Sequence, residues 1–158
     1  MVDNILHQNI LAAIPHRAPF RFIDEIIDVN ESTCVGTYRF KKEEFFYSGH
    51  FPEIPITPSV ILVETMAQIG LIPLGMVNLL KEKPEQDFDQ IKPIFTDSNV
   101  TFKKVVYPET RVTVEAENIY FRLNRLKAKV KLQDEKGHIC CSGILSGVFV
   151  SNEKINFE

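Results

Sequence analysis

The chain has 158 residues and a formal net charge of -3, a length that suits one domain with a sizeable core. Hydrophobic residues make up 44% and charged residues 25%, proportions that exclude a disordered or fibrous chain. The mild negative charge excludes a global attraction to nucleic acid or anionic membrane, so an acidic partner must find a local basic patch.

At the start, Asp3 or Asn4 can cap a short helix whose Ile5, Leu6, Ile10, Leu11 and Ile14 fall at helical spacing. No basic region followed by an apolar run precedes it, so no signal peptide is expected. Pro15 ends the helix, and Pro15 and Pro19 make 14–20 an extended linker that carries His16 and Arg17. The mixed pattern of Phe20, Phe22, Ile23, Ile26, Ile27 and Val29 predicts a strand over 20–29 with a phase slip, read as a bulge. Asn30-Glu31-Ser32 is a turn, and 33–40 is the second strand of a hairpin.

Residues 41–49 lead into a loop punctuated by Gly and Pro that carries His50. Thr57 or Ser59 is expected to cap the central helix, with Pro58 in its first turn. This helix is apolar all round, which predicts a buried one. Pro73 is expected to kink or end it, although the apolar run continues to Leu80. The run is apolar enough to be mistaken for a membrane span, but Glu64, Gln68, Pro73 and Asn78 argue for a core helix. Residues 81–90 are polar and read as a loop.

Strands are predicted over 94–106, 111–121, 126–134 and 138–150. In the third, Leu126, Ala128, Val130 and Leu132 alternate with Lys127, Lys129 and Lys131, apolar side inward and lysine side outward. Glu135-Lys136-Gly137 makes a hairpin turn. The whole reads as one α+β domain over 1–158, a curved antiparallel sheet wrapped round a long helix. One small sheet cannot cover every side of that helix, which suggests a homodimer. Cys34, Cys140 and Cys141, an odd number with two adjacent, argue for a reducing, cytoplasmic setting without a disulfide framework.

Between Glu53 and Lys81 the only charged side chain is Glu64. A lone carboxylate in such a segment is exposed, paired or used. Gln68 lies one helical turn beyond, where it can orient Glu64 or merely fill a polar seam. His50 reads either as a loop histidine bonded to backbone or as a base of suitable pKa. Together, a histidine base and a carboxyl raised in pKa by apolar surroundings suit removal of an acidic C–H and loss of a hydroxyl. Free N–H groups at the helix start, Thr57-Pro58-Ser59, can hold a carbonyl oxygen as it gains charge. The set describes a β-elimination next to a carbonyl. No metal-ligand spacing links the histidines and cysteines, and no nucleophile elbow or phosphate-binding loop is visible. The row of lysines is either a solvated face or, with Arg122 and Arg125, a docking patch for an acidic carrier.

The run Gly49-His50-Phe51-Pro52, then Pro55, Pro58, and Val60-Ile61-Leu62-Val63-Glu64 to Met66-Ala67-Gln68, resembles the FabZ-type β-hydroxyacyl-acyl-carrier-protein dehydratases. Ile14-Pro15-His16-Arg17-Ala18-Pro19-Phe20 with Asp24 looks like that family's leading motif, and 100–108 like its later basic strand. The resemblance implies a hotdog fold and a dimer whose sites combine His50 of one subunit with Glu64 of the other; such dimers often build hexamers. It implies no cofactor, the substrate being carried on the phosphopantetheine arm of acyl carrier protein. It implies that His50 removes the α-proton, Glu64 assists departure of the hydroxyl, and the Ser59 backbone N–H polarises the thioester carbonyl. Gly49, Phe51, Pro58 and Gln68 would support the site. Arg122, Arg125, Lys127 and Lys129 are the candidate carrier-docking residues. The chain departs from the family at Glu53, Ser59 and Glu109, each standing where glycine is usual. Those changes leave the acid–base pair intact, bear on substrate shape, and point toward a specialised member making polyene or pigment acyl chains. The rival readings are a hotdog acyl thioesterase and a non-catalytic module that binds an acyl carrier or a partner subunit.

Overall fold

The computed structural model describes residues 2–155 of the chain, with side chains from residue 4 onward. Helix α1 (Val2–Ala13) runs up to the linker at Pro15. Strands β1 (Glu25–Val29) and β2 (Thr33–Arg39) form the expected antiparallel hairpin, and the register slips between Ile26 and Asp28, where the apolar pattern changes phase. The strand starts later than expected. Phe22 N–H and Phe20 C=O bond the side chain of Gln68 instead of a neighbouring strand.

The central helix runs as α2 (Ser59–Met66), a π-helical stretch (Ala67–Leu71) and α3 (Ile72–Glu82). Neither Thr57 nor Ser59 caps it. Pro58 occupies the cap position with no side-chain bond, while the Thr57 hydroxyl pairs with the Tyr47 hydroxyl at 2.7 Å. Pro73 does not end the helix, because the wider π turn lies just before it and Pro73 falls in the first turn of α3. Lys81 and Glu82 thus belong to the helix, and Phe88–Gln90 forms a short 3-10 turn where a loop is predicted.

Strands β3 (Ile91–Phe102), β4 (Arg111–Arg122), β5 (Arg125–Gln133) and β6 (Ile139–Ser151) complete one antiparallel sheet in the order β1-β2-β4-β5-β6-β3. The π stretch packs against β2, β4, β5 and β6, so the helix crosses the middle of the sheet. A Cβ on Gly70 would lie 3.1 Å from the Ala116 methyl and 3.2 Å from Val130, so glycine permits this close approach. Met66, Ile69 and Leu74 face Val114, Ala128, Val130 and Leu132 in a single buried core, each large side chain contributing about 1.5–3 kcal/mol by leaving water. The helix passes the length and hydropathy of a membrane span, yet 78% of its most apolar window is buried inside the fold. These features make the hotdog arrangement.

Candidate active site

The His50 loop is fixed by its own backbone. Ile56 N–H donates to His50 C=O at 2.9 Å, and Thr57 N–H donates to Val106 C=O at 2.8 Å. The His50 ring closes the clamp with Nδ1 3.0 Å from Ile56 C=O. A carbonyl can only accept, so Nδ1 carries the proton and Nε2 keeps a lone pair. Phe51 stacks on the imidazole at 4.3 Å between ring centres. A Cβ on Gly49 would meet nothing within 4 Å, so no packing within this chain calls for glycine there.

Glu64 projects from α2 into an apolar cavity whose walls include Leu71, Ile94, Phe95, Leu126 and Phe149. Burial pushes its carboxyl above the ordinary range, and the bond from Gln68 only partly offsets this. Gln68 is fully buried, and its side chain makes three hydrogen bonds, with both N–H donors used. Its Oε1 accepts from Phe22 N–H at 2.7 Å, and its Nε2 donates to Phe20 C=O at 3.1 Å and to Glu64 Oε1 at 2.9 Å. The bond from Phe22 fixes which end of the amide is oxygen, and therefore which end faces Glu64.

Ser59 opens the helix and is exposed. Ile61 N–H and Leu62 N–H both bond Pro58 C=O, which leaves the N–H groups of Ser59 and Val60 without an intrahelical partner. Ser59 adopts ordinary backbone angles, as does Glu53, whereas Glu109 sits at φ 67°.

The structure brings Glu64 and Gln68 together. His50 is not among the residues that line the Glu64 cavity. Arg122 and Arg125 face each other across the β4–β5 turn, whose tip residue Leu123 is 83% exposed. Arg125 pairs in register with Val148, a residue of the cavity wall. Lys131 forms an ion pair with Glu115 at 3.0 Å, and Lys129 lies opposite Glu117, so the lysine row is partly compensated. Among the described residues no cluster of His, Cys, Asp or Glu is arranged to hold a metal ion.

One residue enters the site without a role read from the sequence. His16 Nε2 lies 3.5 Å from Glu64 Oε1, and His16 lines the same cavity. The available signal was the cluster of Arg17 and Arg21 around it in a linker of two prolines. Both guanidiniums bond the carbonyls of Ile14 and His16, and Arg21 also bonds Leu11 C=O, which fixes the linker against the helix.

Comparison with known proteins agrees with this architecture. Residues 14–140 match the family described as FabA-like domain. The chain is 38% identical over 138 residues to the 3-hydroxyacyl-[acyl-carrier-protein] dehydratase FabZ of Caldicellulosiruptor bescii, covering 86% of this chain and 92% of that protein. It is 30% identical over 149 residues to the FabZ of Brucella ovis, covering 94% and 91%. Among solved structures, the dehydratase heterocomplex ApeI:P of Xenorhabdus doucetiae superposes with a TM-score of 0.73 at 14% identity, covering 92% of this chain and 93% of that one. A hypothetical thioesterase with coenzyme A from Streptococcus pneumoniae gives 0.56 at 13% identity, covering 80% and 85%; these two likenesses bear on the fold alone.

Proposed function

This chain belongs to the FabA-like family, and we infer that it is a 3-hydroxyacyl-[acyl-carrier-protein] dehydratase of fatty-acid biosynthesis, a hydro-lyase, with the following division of labour. The His50 Nε2 lone pair takes the α-proton, and the C–H electron pair becomes the new double bond. Glu64 gives its proton to the β-hydroxyl, whose C–O bond breaks with loss of water. The product is the trans-2-enoyl thioester. The Ser59 N–H at the helix start donates to the thioester oxygen as it gains charge. The acyl group arrives on the phosphopantetheine arm of acyl carrier protein, an acidic partner for which Arg122, Arg125, Lys127 and Lys129 offer a docking face.

The observation that carries this reading is the Glu64 carboxyl at an apolar cavity, held by Gln68 and kept protonated to higher pH by burial. An acid so placed suits a poor leaving group. The base comes from a second copy of the chain. His50 stands outside the Glu64 cavity, and Phe51, Ile54 and Val60 around it are exposed, as a residue set that meets a partner would be. A homodimer with two shared sites follows, which assembles further into a trimer of dimers. Three free, buried cysteines accord with a cytoplasmic setting. Glu53 and Ser59, both exposed beside the site, favour a specialised acyl substrate over the common one.

The test is conversion of a panel of 3-hydroxyacyl carriers to enoyl products by the purified protein. His50→Ala and Glu64→Gln should each lower kcat by about 10²–10⁴-fold. Full activity in either variant, or release of free thiol in place of an enoyl product, overturns the assignment.

A further inference from the structure

The Glu64 carboxyl is bound on one oxygen. Gln68 Nε2 donates to Oε1 at 2.9 Å, and His16 Nε2 approaches the same Oε1 at 3.5 Å. His16 reaches it from the linker, a separate part of the chain that Arg17 and Arg21 tie down. The ring's other nitrogen, Nδ1, is buried without a bonding partner among the described residues. A buried N–H with no acceptor carries a desolvation penalty. The proton of the neutral ring therefore sits on Nε2, facing Oε1. Burial, then Arg21 and Arg17, disfavour the imidazolium, so the ring stays neutral. The rest of the cavity offers only apolar or backbone groups beside the carboxyl: Ala67 and Leu71 from the helix, Leu126 from β5, Pro93, Ile94 and Phe95 from β3, and Gly147 to Phe149 from β6.

We propose that His16 is a positioning residue for Glu64: with Gln68 it occupies Oε1, so the acid proton resides on Oε2 and is aimed at the substrate's β-hydroxyl. The proposal rests on the dehydratase reading and deepens it. When Oε2–H transfers its proton and water leaves, the negative charge falls on a carboxylate whose Oε1 is bonded by Gln68 and faces the His16 N–H at 3.5 Å, close enough to tighten onto the new charge. Gln68 alone would leave the carboxylate less stabilised and the acid weaker. His16 touches no reacting atom; it acts through Glu64.

The test uses the full-length chain with His16→Leu, which keeps bulk and removes the donor, and His16→Gln, which keeps a neutral donor. Glu64 works as the protonated acid, so activity is full below its pKa and falls as pH rises through it. Loss of a donor to the carboxylate raises that pKa. His16→Leu should therefore move the high-pH limb of kcat upward by about one unit and lower the plateau about tenfold, with KM unchanged. His16→Gln should restore most of both. The titration of the Glu64 carboxyl, followed by carbon-13 NMR in the free protein, should shift the same way and needs no turnover. An unmoved limb and an unmoved titration in folded His16→Leu overturn the proposal. A titration shift in His16→Leu, where the wild-type protein itself fails to dehydrate, would support the contact and overturn the function instead.

Discussion

Glu109 sits at φ 67°, the left-handed region that favours glycine. Its N–H donates to Phe40 C=O at 2.7 Å, which locks the turn into β4 and requires that conformation. The strain on a residue with a Cβ costs about 1–2 kcal/mol, of which the greater freedom of unfolded glycine returns roughly 0.5–1. Glu109→Gly should thus stabilise the fold by about 0.5–1 kcal/mol, seen as a rise in the urea midpoint with unchanged slope. A lower midpoint would show that the glutamate side chain contributes something in this turn beyond its backbone. The contrast with Ser59 and Glu53 is instructive. The resemblance leads one to expect glycine at all three positions, but only at Glu109 does the backbone angle explain why glycine would be favoured.

The central helix survives a proline by two local adjustments. A proline at 73 leaves Ile69 C=O without its usual donor four residues on. The Cys34 thiol from β2 donates to that carbonyl at 3.2 Å, and burial lifts its pKa to about 12, so the donor proton is retained at neutral pH. The sequence shows the proline but not the thiol that meets it across the sheet, so a kink or a stop is the natural expectation. The same limit hid the role of His16 and cut strand 20–29 short. Periodicity reports which residues face inward, whereas the bonds of Gln68 to Phe20 and Phe22 join positions 46 and 48 residues apart. By contrast, the sheet, the bulge at Ile26, and the lone acid in an apolar helix are all local patterns, and these were readable. One more contact in this helix can be tested. A Cβ on Gly75 of α3 would lie 2.1 Å from the Phe149 ring, and Phe149 is both buried and part of the Glu64 cavity wall. Gly75→Ala gains about 1 kcal/mol of helix propensity but overpacks the core at a cost of about 1–3 kcal/mol. Its thermal midpoint should fall despite the better helix former, and KM should rise most for long acyl chains as the ring is driven into the cavity. A higher midpoint would mean that the ring relocates freely.

The assembled molecule must cover what one chain leaves open. Strand β3 is one of the two sheet edges, paired among the described residues with β6 alone, and it exposes Ile94, Phe95 and Phe102 along its length. A long edge with these apolar side chains invites pairing with a second copy, and a two-fold contact there would join the two sheets and leave β1 at each outer end. Ile94 and Phe95 also form part of the Glu64 cavity, so a partner at this edge would stand beside the acid. That geometry makes the division of the site between subunits testable without a new structure. His50→Ala and Glu64→Gln chains carrying different tags are each inactive, as proposed above. Refolded together at equal concentration, about half of the dimers should be mixed, and each mixed dimer holds one site with both groups intact and one with neither. The mixture should recover about a quarter of wild-type activity, and mixed dimers isolated through both tags should recover about half. If both groups came from one chain, neither subunit of a mixed dimer would own a complete pair, and no activity would return. Recovery in the doubly tagged fraction therefore decides between a site that spans the interface and one that lies within a single chain.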